Sequence, residues 1–164
     1  MTTTPDWERR SVELWASIDD HDPEEFRRQV DKLAAELPDG HPVAAFERAC
    51  AFDSTGHSDR AVPLYREALR SGLTGIRRRR SVIQLSSSLR NIGQAQEAVE
   101  LLTAERRQPS DELDDAVAAT LALALTSVGR EREAVSVAVA ALAPHLPRYQ
   151  RSMANYARLL VEPE

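Results

Sequence analysis

Apolar side chains recur along this chain at intervals of three and four residues, the spacing of one face of an α-helix. After Ser58, for example, they occupy Ala61, Leu64, Tyr65 and Ala68. The same pattern predicts nine helices, which begin near Thr4, Asp22, Pro42, Ser58, Thr74, Gly93, Ser110, Gly129 and Pro147. No stretch has the strict alternation typical of paired strands. The sequence therefore predicts an all-α fold.

Residues that favour helix starts precede several of these segments. Thr4 and Asp22 each stand before a proline, which the first turn of a helix tolerates. Ser58 and Ser110 are predicted to cap the fourth and seventh helices. The polar positions of the ninth helix include three arginines, Arg148, Arg151 and Arg158. A polar outer face of this kind is typical of a helix that caps the end of a stack.

Two small-residue markers recur together along the chain. Gly56 is followed at spacings of 37 and 36 residues by Gly93 and Gly129. Five residues after each glycine stands an alanine, at Ala61, Ala98 and Ala134. A period of this length, built from paired helices, indicates units that bury their apolar faces only by stacking on one another.

The unit at Gly56, Ala61, Tyr65 and Ala68 resembles the tetratricopeptide repeat, in which small residues let two helices approach closely. The third unit departs from the pattern, because Glu105 stands where the family has alanine. The resemblance implies a right-handed superhelical stack of antiparallel helix pairs, closed by a C-terminal capping helix. Other families of paired-helix repeats remain an alternative.

The repeats predict a single domain over residues 1–164. Proline and glycine positions divide it into units at about 5–38, 42–73, 74–109 and 110–146, followed by a capping helix at 147–161. Residues 7–37 match the family pattern poorly, so the first of these units is a degenerate one.

Charge is distributed unevenly along a chain whose net charge is −5. Residues 1–40 hold 11 acidic and 5 basic side chains, whereas residues 60–107 hold 10 arginines and 4 acidic side chains. Four arginines are consecutive at residues 77–80, but they point in different directions on a helix and no aromatic residue follows them before Tyr149. Nucleic-acid binding is therefore an unfavoured alternative.

No catalytic, metal-binding or cofactor-binding motif is present in the sequence. The histidines lack metal-ligand spacing, Cys50 has no second cysteine for a disulfide, and there is no glycine-rich phosphate loop. The N-terminal residues lack the pattern of a secretory signal, and no apolar run reaches about 20 residues. We therefore expect a cytoplasmic protein that is not an enzyme, has no cofactor and does not enter membranes.

In the tetratricopeptide repeat family, the first helix of each unit faces a concave groove that receives a peptide or helix. The resemblance assigns these groove positions to Val43, Phe46, Cys50, Asp53, Arg80, Ile83, Ser87, Arg90, Asn91, Ala119, Leu123 and Thr126. Arg80 and Arg90, with Asn91, are expected to select a carboxylate or an acidic segment. An alternative is that these side chains pack against the terminal helices of the same chain.

The leading expectation is a non-catalytic adaptor that binds a protein or peptide partner, with a preference for acidic ones. The main alternative is a self-associating, homodimeric structural protein, in which the acidic first unit pairs with the basic middle and Trp7 or Trp15 anchors the contact. A nucleic-acid-binding regulator is the third alternative.

Overall fold

The computed structural model describes residues 2–162, which form nine α-helices and two 3-10 helices without a β-strand. The α-helices are α1 Pro5–Ala16, α2 Pro23–Ala34, α3 Pro42–Ser54, α4 Ser58–Arg70, α5 Gly75–Asn91, α6 Ala95–Glu105, α7 Asp114–Ser127, α8 Glu131–Leu142 and α9 Gln150–Leu159. The 3-10 helices are Ile18–Asp20 and Ala143–His145. The predicted all-α class is confirmed. Within the described range, no helix combines the length and apolar character needed to cross a bilayer.

The chain divides into two compact units, Met1–Ser88 and Leu89–Glu164, called here the N-terminal and C-terminal units. In the N-terminal unit, α2 packs against α1 and α3, and α3 packs against α4. In the C-terminal unit, α7 packs against α6 and α8, and α8 packs against α9. Each predicted unit range contains two consecutive helices, with α9 after the last pair. One continuous domain over the whole chain remains a prediction.

Aromatic and aliphatic side chains form the core between the first three helices. Phe26 and Val30 of α2 pack with Ala51 of α3, and Trp15 meets the Phe26 ring edge-on at 5.1 Å between centroids. Trp7 is only 3% exposed, and its indole N–H donates to the Leu33 carbonyl at 2.9 Å. Trp7 is therefore part of this chain's own core and does not anchor a second copy.

The three repeated glycines end the first helix of a pair with the same backbone geometry. Gly56 has φ +81°, a value that disfavours residues with a Cβ, and Gly93 and Gly129 have φ +82° and +75°. Around Gly56, the His57 N–H donates to the Phe52 carbonyl at 2.9 Å. The equivalent bonds after the other two glycines measure 2.8 and 3.0 Å. These bonds satisfy helix-terminal carbonyls, so the repeat read from the sequence is also a repeated turn.

The predicted helix caps are partly confirmed. Thr4 accepts a hydrogen bond from the Trp7 N–H, and Asp22 accepts from the N–H groups of α2's first turn. Ser58 is instead the first residue of α4, whose cap position is His57. Ser110 lies four residues before α7 and bonds the Asp114 side chain there. The Asp111 carboxylate accepts the Leu113 N–H at 2.8 Å, and side-chain bonds of this kind compete with helical backbone pairing, which explains the late start of α7.

Candidate peptide-binding surface

The predicted groove positions on α3 are mostly buried. Phe46 is fully buried, Cys50 is 2% exposed and Val43 is 8% exposed, whereas Asp53 is half-buried. These side chains pack against α4 and α5, so they belong to the interior of the N-terminal unit and leave little area for a partner. On α5, Arg80 is exposed, and Ile83 and Ser87 are half-buried.

Arg80 is held above one of these buried side chains. Its guanidinium carbon lies 5.2 Å from the centre of the Phe46 ring, which in turn lies 6.3 Å from the Tyr65 ring. A guanidinium at this distance from a ring is within the range of a cation–π contact. Arg80 is exposed, and no ion pair within residues 2–162 joins it to a carboxylate, although its charge helps to lower the pKa of the buried Glu47 against the larger effect of burial.

Below Arg80, polar side chains from three helices form a hydrogen-bonded network. Asp53 of α3 accepts bonds from the Ser88 hydroxyl at 2.8 Å and from the Tyr65 hydroxyl at 3.3 Å. The Cys50 thiol donates to the Gln84 side-chain oxygen at 3.5 Å. Burial raises the pKa of the Cys50 thiol to about 12, so the reactive thiolate is not populated at neutral pH. This network fixes α5 against α3.

A charged cluster missed in the sequence joins α1, α3 and α5. The Arg77 guanidinium donates to both oxygens of Glu8, at 2.8 and 2.6 Å, and its Nε donates to Glu47 at 3.3 Å. The indole N–H of Trp15 donates to the second oxygen of Glu47 at 2.7 Å. No sequence signal connects Glu8 with Arg77, because they lie 69 positions apart and meet only through tertiary packing.

Burial and ion pairing move the two carboxylates of this cluster in opposite directions. Burial raises the pKa of Glu47, although the bonds from Trp15 and Arg77 oppose that effect. The hydrogen bond from Arg77 lowers the pKa of Glu8, with burial acting against it. Arg77 therefore stabilises a buried negative charge that the helix packing would otherwise disfavour.

The predicted groove positions of the C-terminal unit are more accessible. Leu123 is 55% exposed, and Ala119, Thr126 and Asn91 are also exposed. Arg90 is half-buried, and its Nε is buried without a hydrogen-bond partner. Leu123 thus offers apolar contact area on the outside of α7, and its place in a groove stays a prediction.

The end of the C-terminal unit carries an apolar cleft beside the polar side of its last helix. Side chains of Val139, Leu142, Leu146, Tyr149 and Met153 line a cleft of about 540 Å³. Tyr149 is 72% exposed and is held at φ +69°, an unusual value for a residue with a Cβ. The three arginines expected on the polar side of the last helix, Arg148, Arg151 and Arg158, are all exposed.

Within residues 2–162, no three histidine, cysteine, aspartate or glutamate side chains are grouped as metal ligands. The described side chains instead form structural networks: Cys50, Tyr65 and Asp53 in one, and Glu8, Arg77 and Glu47 in the other.

Consecutive antiparallel helix pairs with a recurring glycine turn define a helical-repeat protein. The family model described as Tetratrico peptide repeat matches residues 42–160 of the chain. The chain therefore belongs to the tetratricopeptide repeat family, as its residues predicted. No curated protein and no solved structure gives a significant match.

Proposed function

We propose that this chain is a non-catalytic adaptor that binds a peptide or helix across the first helices of its repeats. Repeats of this family generally mediate protein–protein interaction. The observation that carries the proposal is the exposed Arg80 guanidinium, which lies 5.2 Å above the Phe46 ring and pairs with no carboxylate in the described chain. It is a cation held in place with its hydrogen-bond donors available.

The residues beside Arg80 provide the rest of the proposed contact. Ile83 and Ser87 lie three and seven positions later on α5, which places them on the same helix face. An apolar side chain of the partner packs on Ile83 while its carboxylate pairs with Arg80. The C-terminal unit carries candidate contacts of its own, in which Leu123 supplies an apolar contact and Arg90 a cation.

The test replaces both cations with acids. Full-length protein carrying Arg80→Glu and Arg90→Glu is used to isolate partners, which are identified by mass spectrometry and compared with those of the wild type. The matched control is Arg70→Glu with Arg151→Glu, since both arginines are exposed and lie on other helices. We expect the groove variant alone to lose its acidic partners. Equal retention by both variants would discard the groove assignment.

Self-association is a second candidate function, favoured by the apolar surface of the C-terminal unit. Leu142 and Tyr149 are 55% and 72% exposed beside an apolar cleft. Large exposed apolar patches are typical of interaction sites. Self-association through charge would pair the acidic first repeat of one copy with the basic middle of another. Fewer charges are available for such pairing, because Glu8 already pairs with Arg77 and Glu36 with Arg10 in the same chain.

Light scattering at low and high salt separates the two forms of self-association. A dimer held by apolar contacts persists at high salt and is lost in Leu142→Glu, whereas a dimer held by charge weakens as salt screens the ion pairs. A monomer under both conditions would remove this candidate.

A further inference from the structure

A basic cleft lies between α2, α3 and α4 of the N-terminal unit, away from the surface considered above. It encloses about 440 Å³, a size within the range of ligand pockets. Four arginines line it, Arg27, Arg28, Arg48 and Arg60, together with the aromatic ring of Phe52.

Two of these arginines are held against the Phe52 ring. The Arg60 guanidinium carbon lies 4.2 Å from the ring centre, and that of Arg27 lies 5.8 Å from it. Arg27 is fixed further by a 2.8 Å hydrogen bond from its Nη1 to the Thr55 hydroxyl. Because both distances share one ring centre, the two guanidinium carbons are no more than 10 Å apart. Both side chains line the same cleft.

The charges inside the cleft are only partly neutralised by this chain. Arg28 pairs with Glu24 at 2.9 Å, and Arg48 pairs with Asp31 at 2.7 Å. Within residues 2–162, no carboxylate lies at ion-pair distance from Arg27 or Arg60. Two positive charges therefore remain without a counter-ion, and each is already ordered by its contact with the Phe52 ring.

The cleft is separate from the proposed groove because it uses the other side of α3. At about 100° per residue, Arg48 and Ala51 lie roughly 160° and 140° around the helix from Phe46. A partner in the cleft therefore contacts α2 and α4, whereas a partner in the groove contacts α5.

We propose that this cleft is a second docking site, which recognises a carboxylate side chain of an acidic peptide. The carboxylate accepts hydrogen bonds from Arg27 and Arg60, and its aliphatic stem packs beside Phe52. Glu24 and Asp31 also line the cleft. Their negative charges disfavour a dense phosphate, whereas a peptide keeps its carboxylates apart and places one of them between the arginines.

The test measures binding of a fluorescein-labelled peptide of alternating glutamate and leucine to the full-length protein by fluorescence anisotropy. We expect saturable binding that weakens about tenfold in Arg27→Gln with Arg60→Gln, the loss of one good charge-assisted contact. The matched control is Arg70→Gln with Arg151→Gln, which removes the same charge elsewhere and is expected to bind as the wild type does. Equal weakening in the control would overturn the proposal, since it would show a response to net charge alone.

Further arms distinguish other sources of the signal. Arg60→Gln alone breaks no hydrogen bond found within the described chain, so it tests the site even if the double variant fails to fold, and we expect it to weaken binding severalfold. Replacing glutamate by glutamine in the peptide is expected to abolish binding. Arg80→Glu removes the cation of the proposed groove. Binding that is lost in Arg80→Glu but kept in Arg27→Gln with Arg60→Gln would assign the peptide to the groove and overturn the inference. Full displacement by inorganic phosphate at the peptide's own concentration would also overturn it.

Discussion

At the residue scale, Arg77 differs from its neighbours in the run of four arginines. It pairs with Glu8 and with the buried Glu47, whereas Arg79 is 5% exposed and Arg80 is exposed above Phe46. Consecutive side chains on a helix are separated by about 100°, so the four arginines lie on different sides of α5 and in different environments. The run is therefore a structural element and one binding candidate, and it forms no continuous basic surface.

We predict that Arg77→Ala lowers the unfolding free energy at pH 7 by about 3 kcal/mol, because it leaves Glu47 buried without its cation. The loss is expected to shrink as the pH falls. Burial raises the pKa of Glu47 in the folded state. Glu47 therefore contributes stability below its unfolded-state pKa, and this contribution is lost as the pH rises through its folded-state pKa. Without Arg77 the folded-state pKa of Glu47 rises further, so the variant loses more unfolding free energy at neutral pH than in acid.

The effect of Arg77→Ala on Glu8 also makes the loss of stability smaller at low pH. The folded pKa of Glu8 is lowered mainly by Arg77, so its contribution is present above the unfolded pKa and disappears as the pH falls through the folded value. Urea unfolding at pH 7 and in mild acid measures the difference. Arg70→Ala, at an exposed site, serves as the control and is expected to change stability by less than about 0.5 kcal/mol. A loss in Arg77→Ala that does not vary with pH would contradict the assignment.

Gly56 tests the repeated turn at a single residue. Its φ of +81° disfavours a Cβ, although no atom lies within 4 Å of where that Cβ would stand. Gly56→Ala is therefore expected to cost about 1 kcal/mol through backbone strain alone. Gly56→Asn is expected to cost less, because asparagine adopts this conformation more readily. Thermal unfolding of both variants decides the matter, and equal losses would remove the conformational explanation.

At the element scale, each repeated alanine occupies the same place in its helix. Ala61, Ala98 and Ala134 are the fourth residues of α4, α6 and α8, and they are 0%, 0% and 5% exposed. This equivalence follows from the shared turn, which starts each second helix two residues after its glycine. Small side chains there allow close helix approach.

We predict that Ala134→Leu destabilises the C-terminal unit by about 1–3 kcal/mol, because a larger side chain forces α7 and α8 apart. Ala140→Leu lies on the exposed side of the same helix and is expected to be nearly neutral. Both changes add the same volume in the same helix, so the difference reports packing alone. Similar chemical denaturation curves for the two variants would contradict the close-approach explanation.

At the scale of the whole molecule, charge argues against nucleic acid as a partner. The net charge is −5, and Arg77 within the basic segment is already paired with two glutamates. Phosphate backbones require several available cations on one surface. The remaining accessible arginines of the N-terminal unit suit isolated carboxylates better than a continuous polyanion.

We accordingly predict no mobility shift of short RNA or DNA at low salt, where electrostatic binding is strongest. A lysine-rich peptide serves as the positive control for the assay. A shift that weakens steeply with added salt would restore the nucleic-acid alternative and would count against both acidic-peptide proposals.

The helices were predictable because their signals are local. Apolar spacing, capping residues such as Asp22 and helix-ending glycines act over a few residues, and they located all nine α-helices found in residues 2–162. The start of α7 was missed because the Asp111 side chain accepts the Leu113 N–H, a bond that competes with helical pairing. The groove positions came from the family pattern, which assigns a helix face but does not show that Phe46 is covered by Arg80.

The sequence by itself determined the helices, the glycine turns and the repeat family, since each depends on short-range periodicity. Tertiary structure alone decided which charges remain available. Arg77 and Arg80 are identical and close in the chain, yet packing pairs one with Glu8 and leaves the other on the surface. Likewise, only folding brings Arg27 and Arg60 to the same Phe52 ring. The physical reason is that burial and ion pairing depend on residues that are distant in the chain and adjacent only once the helices have packed.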